Sequence, residues 1–435
     1  MLEDFEVMAA AKALAQGDFT LAWMNVRQVL ENFPRHPQAL LTAGLAAQAT
    51  GNHEAAKHLM LEALLRDPAN PDAQKGLLKV FLADQEASFA LPADPLAGLM
   101  TLMTALPELG HIPLALGLAL EARGQKDQAN GPYLAAARLM AAHGLATTRL
   151  SLIELDRSLG SAGPRAPSQA PLEKRIAMSD LGERGRFGNQ IVQYLFLLCH
   201  SLKHGLIRET PEWLGDRLFQ LGGDAALTQP PLPCFREPES GSAPWLAPDG
   251  PSLGGRDLAG YFALPTRHYL PWRNAIQKAF APAPALAGRA QRIKELIASR
   301  GRTLVALHLR ITQEGHEYSR NEAPLAWYAD WLDGIWKDLD APVLYVASND
   351  QQAVQPGLAR FSPLSGTDLG PPLKGAEFID DFLALSMASH LGLSRSSFSQ
   401  TASLLAGGLI QAVYPDREQG RLVPVDPWNA PLFLA

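Results

Sequence analysis

The chain has 435 residues, 47% hydrophobic and 19% charged, with a net charge of −6. This length accommodates two or three domains with separate cores, and the mild negative charge excludes a general affinity for nucleic acid or an anionic membrane. Cys199 and Cys234 make neither a disulfide framework nor a metal-ligand spacing. The acidic start, Met1-Leu2-Glu3-Asp4, has the wrong charge for a secretory signal. No run reaches the roughly 18 apolar residues of a membrane span, so a cytoplasmic protein is expected.

The first part reads as a helical repeat. Gly17-Asp18 is followed by Ala22, Gly51-Asn52 by Ala56, and Pro34 and Pro68 close two units; each pair lies 34 residues apart. That is the tetratricopeptide period, and the pattern resembles the tetratricopeptide repeat family. A third copy carries Gly117, Gly124, Ala129 and Ala136, while residues 83–109 are out of register, with Leu91–Pro95 as a loop. One helix pair cannot bury its apolar face alone, so neighbours must stack. Two roles stay open for such an array: a concave surface for a protein or peptide, or a structural or self-association arm.

Residues 1–159 are assigned to the repeats. Gly160–Pro171 is rich in proline and glycine and reads as a linker. Beyond it, Lys174–Ser179, Thr303–Arg310, Val343–Ser348, His390–Ser394 and Leu409–Tyr414 read as strands separated by helical segments, which predicts parallel sheets with helices on both faces. Leu227–Arg256 is a long Pro/Gly-rich excursion, either a lid or an ordinary loop.

The first strand leads into a loop with Gly182, Gly185 and Gly188, then a helix from Ile191 to Leu202. A strand, a glycine turn and a helix N-terminus present backbone N–H groups to an anion. Arg310 ends the Leu304–Arg310 strand, where open α/β sheets present ligand-binding groups, and its planar fork suits phosphate oxygens. His308 reads as a core histidine that holds the loop or Arg310. Asp380 and Asp381 open a helix and complement its dipole. Ser396, Ser397 and Ser399 precede an apolar helix expected to start at about Ala402; they suit N-capping or donation to a phosphate at the helix start.

Gly185-Arg186-Phe187-Gly188-Asn189-Gln190, Gly260-Tyr261-Phe262, His308-Leu309-Arg310 and Ser396-Ser397-Phe398-Ser399 occur in the order found in the fucosyltransferase superfamily. The chain from about Lys174 onward resembles bacterial α-1,2-fucosyltransferases and protein O-fucosyltransferases. That resemblance implies a GT-B fold of two Rossmann-like halves, 172–270 on the acceptor side and 271–435 binding the nucleotide sugar. It implies GDP-L-fucose as donor substrate, no cofactor and no metal. The implied donor-binding residues are Gly188, Asn189, His308, Arg310, Asp380, Ser396, Ser397 and Phe398, with Arg310 and Glu317 catalytic. In the α-1,2 enzymes Arg-Gly-Asp-Tyr follows the His-x-Arg closely; here Glu314-Gly315-His316-Glu317-Tyr318 intervenes, and Glu317, or Glu314, is the expected general base. The acceptor would be a glycan or protein hydroxyl. Two other readings remain: an interaction protein with a degenerate nucleotide-sugar domain, and a transferase of the same fold using another nucleotide sugar.

Overall fold

A computed structural model describes residues 2–82, 91–140, 143–229, 231–311 and 323–431. The chain divides into two compact units, Met1–Ile153 with Gln229–Phe235, and Glu154–Thr228 with Arg236–Ala435.

The first unit contains an array of helical hairpins: Phe19–Asn32, Pro37–Ala49, His53–Arg66, Pro71–Phe81, Pro95–Ala105, His111–Ala122 and Lys126–Leu139 follow the opening Leu2–Ala15 helix. The repeated glycines set the turns. Gly17, Gly51 and Gly124 all adopt φ near the left-handed region, at +78°, +77° and +76°, which glycine tolerates best. Asp18 and Asn52 then cap the following helices by accepting from Leu21 and Ala55 N–H. Small residues also let helices approach: a Cβ on Gly44 or Gly76 would meet the Met60 side chain, and one on Gly117 would meet the Tyr133 ring at 2.4 Å. The out-of-register stretch holds the Pro95–Ala105 helix, capped by Asp94; residues 83–90 lie outside those described.

The second unit carries two sheets. In the first, Ile207–Glu209, Arg175–Ala177 and Arg256–Ala259 lie side by side and parallel. The second has the order Pro342–Ser348, Thr303–Leu309, His390–Gly392, Gln411–Asp416 and Arg421–Val425, parallel except for the last pair. The Phe187–His204 helix follows the first strand. It begins earlier than expected and places Gly188 in its first turn rather than in the loop. The helix expected near Ala402 begins at Ser397, with Ser396 as its cap.

Most of Gly160–Pro171 has no regular secondary structure, yet it is fastened to the second unit. Arg165 donates to the Thr210 hydroxyl at 3.0 Å and carbonyl at 2.7 Å and pairs with Asp216 at 3.4 Å. Arg217 binds Asp156 and the Gly160 carbonyl. Part of the long Leu227–Arg256 excursion is likewise held: the Lys203 ammonium donates to the carbonyls of Trp245, Ala247 and Gly250. Among the described residues no helix is long and apolar enough to cross a membrane.

Candidate functional site

The site is built where two helix starts meet. After the Arg175–Ala177 strand, the chain turns through Gly182 and Gly185, at φ +92° and +68°. Asp180 is buried and pairs with Arg184. A Cβ on Gly185 would lie 2.4 Å from the Asn189 amide nitrogen, so glycine here leaves Asn189 its place. Gln193, fully buried, donates to the carbonyls of Arg184 and Asn189, each at 3.1 Å, and ties the loop to the helix.

Gly188 makes the junction possible. A Cβ there would sit 2.6 Å from the Phe398 backbone nitrogen and 2.7 Å from the Ser397 Oγ. With no side chain at Gly188, Ser397 donates to Asn189 Oδ1 at 2.6 Å. Both partners are buried, Asn189 8% and Ser397 6% exposed. Ser396 Oγ accepts the Phe398 N–H at 3.3 Å. The positive ends of the Phe187–His204 and Ser397–Leu405 helices therefore meet at one point, and their combined field favours an anion. Behind it the rings of Phe187 and Phe378 pack 4.5 Å apart, and those of Phe382 and Phe398 5.2 Å apart.

The second sheet brings His308 to this corner, and Arg310 follows two residues on. The His308 ring lies 5.1 Å from Phe398, and its Nδ1 is 2.7 Å from the Ser394 hydroxyl. Burial first, and then the Arg310 charge, push its pKa down to about 3. It is thus a neutral hydrogen-bonding group at ordinary pH, consistent with holding rather than exchanging protons. Arg310 follows the last residue of its strand and is half-buried. Its neighbour Ile311 is clamped at both backbone groups by Asn349, which accepts its N–H at 2.8 Å and donates to its carbonyl at 2.6 Å. Leu309 pairs in the ladder with Ser348, so the backbone of Arg310 is fixed on both sides. Asn349 read from sequence only as part of a turn; its partner is 38 residues away, and no local pattern reports that.

Asp380 is not gathered into this corner by any of these bonds. Arg289 binds it at 2.5 Å and also donates to the Pro371 carbonyl; burial raises the Asp380 pKa against the pull of Arg289. Asp381 accepts the Tyr345 hydroxyl at 2.7 Å, and burial pushes it up to about 6. Ser399 is fully buried, and its hydroxyl serves the local turn through the Ser396 carbonyl. Glu314 and Glu317 lie outside the described residues.

A groove of about 630 Å³ lies elsewhere, at the opposite end of the second sheet, lined among others by Lys294, Leu304, Ser389 and Gly408. Among the described residues no group of three or more His, Cys, Asp or Glu side chains is placed to hold a metal ion.

No family model matches the sequence, and no curated protein does. Among solved structures the chain is similar to NodZ alpha-1,6-fucosyltransferase co-crystallised with GDP, at 14% identity over 58% of this chain and 98% of that one, with a TM-score of 0.40. A fucosyltransferase NodZ from Bradyrhizobium gives 13% identity over 58% and 99%, with a TM-score of 0.39. MamA gives 20% identity over 36% and 90%, with a TM-score of 0.20. At such distances the functional reading rests on side-chain geometry and not on these likenesses.

Proposed function

We propose that the second unit is an inverting glycosyltransferase of GT-B type that transfers L-fucose from GDP-fucose to a glycan or protein hydroxyl. The observation that carries this reading is the Ser397–Asn189 hydrogen bond, which joins two helix N-termini into one anion-favouring corner, with His308, two residues before Arg310, packed on Phe398 of the same helix start. In this reading the donor's diphosphate lies at that corner. Arg310 grips its oxygens, Asn189 and Gly188 face phosphate and sugar, and Ser396, Ser397 and Phe398 hold phosphate and nucleotide. Neutral His308 keeps Ser394 and the strand end in place. Asp380, held by Arg289, is the proposed outer contact to guanine.

In the step itself the acceptor oxygen attacks the anomeric carbon as the bond from that carbon to the β-phosphate oxygen breaks. GDP leaves with the electron pair, and the acceptor's proton passes to the carboxylate of Glu317 or Glu314. A nucleoside diphosphate is already a good leaving group, so the main demand is stabilisation of charge growing on the phosphates. Fixed donors aimed at that charge supply a large catalytic term, and losing one costs about 10²–10³-fold. The donor is a substrate; no cofactor is required in this scheme. The helical array of the first unit is proposed to bind a partner or a second copy, and a cytoplasmic location remains the expectation.

Thermal shift of the full chain against a panel of nucleotide sugars tests the reading. A ligand at 100 times its dissociation constant adds about 2.7 kcal/mol. GDP and GDP-fucose should raise the melting temperature; silence with both sinks the proposal. A response to UDP-sugars alone would favour a different donor.

A further inference from the structure

We infer that Tyr261 is the platform on which a sugar ring of the acceptor rests, an assignment that builds on the transferase reading above. The Arg256–Ala259 strand ends at Gly260, and it runs parallel beside Arg175–Ala177, whose own continuation is the Gly182–Gly185 loop. Both segments therefore leave the carboxyl ends of adjacent strands, the edge at which open α/β sheets bind ligands.

The backbone here is held in costly conformations. Gly260 has φ +155°, and a Cβ on it would lie 2.5 Å from the Cβ of Glu237. Phe262 has φ +51° without being glycine, a state kept only when the surroundings enforce it. They do so from three sides. Glu237 Oε2 accepts from the backbone N–H of Tyr261 at 2.8 Å and of Phe262 at 2.7 Å. Tyr269 donates its hydroxyl to the Phe262 carbonyl at 3.0 Å. The Phe262 ring is fully buried, stacked 4.6 Å from Phe196. The part of this turn not consumed by the core is the half-exposed side chain of Tyr261. Backbone strain of this kind concentrates at ligand-binding positions, and here the backbone that carries the Tyr261 ring is held in place.

The chemistry of this sheet edge selects the ligand class. Arg184, held by Asp180, stands on the adjacent strand's loop and is exposed. Ser179 donates through N–H and hydroxyl to Asp257, at 2.8 and 2.6 Å, on the same strand ends. An apolar ring face with a polar tip, on a sheet edge that also carries an exposed guanidinium and a carboxylate–hydroxyl pair, matches a pyranose, which has apolar C–H faces and peripheral hydroxyls. The anion-favouring corner lies at Asn189 and Ser397, so this platform is left to the uncharged partner of the reaction.

The test is capture of the full-length protein on a printed oligosaccharide array with saturating GDP, comparing wild type, Tyr261→Ala and Tyr261→Phe. Wild type should retain a subset of glycans. Tyr261→Ala should lose about tenfold in retention, about 1.4 kcal/mol, the scale of one aromatic contact, and Tyr261→Phe should keep most of it. GDP affinity and melting temperature should be unchanged in both variants. Capture of no glycan by wild type, equal capture by Tyr261→Ala, or a loss of GDP rather than glycan would each overturn the inference. Glycan retention that depends on Tyr261 in a protein that ignores GDP would leave this inference standing and remove the donor reading instead.

Discussion

Gly188→Ala puts the junction of the two helix starts under direct test. The new methyl would lie 2.6 Å from the Phe398 backbone nitrogen and 2.7 Å from Ser397 Oγ. The first of these atoms is backbone and cannot rotate away, so the helices must separate. Overpacking of this kind costs about 1–3 kcal/mol; alanine's better helix propensity returns at most about 1 kcal/mol, and less in a first turn. A net loss of about 1–2 kcal/mol is expected, which lowers the melting temperature by roughly 2–8 °C at about 2–4 °C per kcal/mol for domains of this scale. The same substitution at Gly334, in the Leu325–Ile335 helix with nothing within 4 Å of the added methyl, should stabilise by about 0.4–1 kcal/mol. Differential scanning fluorimetry on both variants reads the contrast. A Gly188→Ala protein that melts at or above wild type would refute the close approach of the two helices. In addition, separation should break the Ser397–Asn189 bond and weaken GDP binding.

Other outcomes follow from the same geometry. Arg165→Ala should destabilise by about 3 kcal/mol above neutral pH, the lower end of the range for breaking a buried pair, because the two side chains keep 22% and 17% exposure. Burial already pushes the Asp216 pKa up to about 7, with Arg165 opposing it. A folded-state value above the unfolded one means its contribution is present at low pH and lost as pH rises through about 7. The deficit of Arg165→Ala should therefore be smaller near pH 5, where the lost bonds to Thr210 still count, and grow through pH 7 to 8; urea melts showing a deficit independent of pH would contradict this. Asn349→Ala should weaken GDP binding while altering the melting temperature little, since the exposed amide acts on Ile311 rather than on the core. Hydrogen exchange should show the Ile311 amide losing protection; a protected Ile311 amide in the variant would remove Asn349 from any positioning role.

Much of the repeat array was legible because its geometric demands recur. A left-handed glycine followed by Asp18 or Asn52 makes a turn and a cap together, and a period of 34 residues repeats them. The central strands Thr303–Leu309 and Pro342–Ser348 were legible as apolar runs whose interior residues are buried. The strands of the first sheet were harder: Ile207–Glu209 and Arg256–Ala259 are short and carry charges. One of those charges, Glu209, is buried with partners far along the chain: Arg175 reaches it across 34 residues at 3.1 Å, and the Thr228 hydroxyl donates to its other oxygen at 2.9 Å. The edge strand Arg421–Val425 was hidden by Pro424, which an edge position tolerates. The serine cluster misled on the helix start because only Ser396 is its cap. Thr401 and Ser403 return their hydroxyls to carbonyls within the helix. Gly188 and Asn189 stood out in the sequence, but their partner Ser397 is 208 residues away, so the junction itself appears only in three dimensions.

The central claim, a nucleotide-sugar donor bound by Arg310 at the meeting of two helix starts, is tested most directly by calorimetric titration of GDP-fucose into wild type and Arg310→Ala. The account predicts saturable binding to wild type. In the variant it predicts affinity weaker by at least about tenfold, the cost of about 1.4 kcal/mol or more for a lost charge-assisted contact, with the melting temperature preserved. Absence of binding to wild type, or equal affinity in the variant, would contradict it.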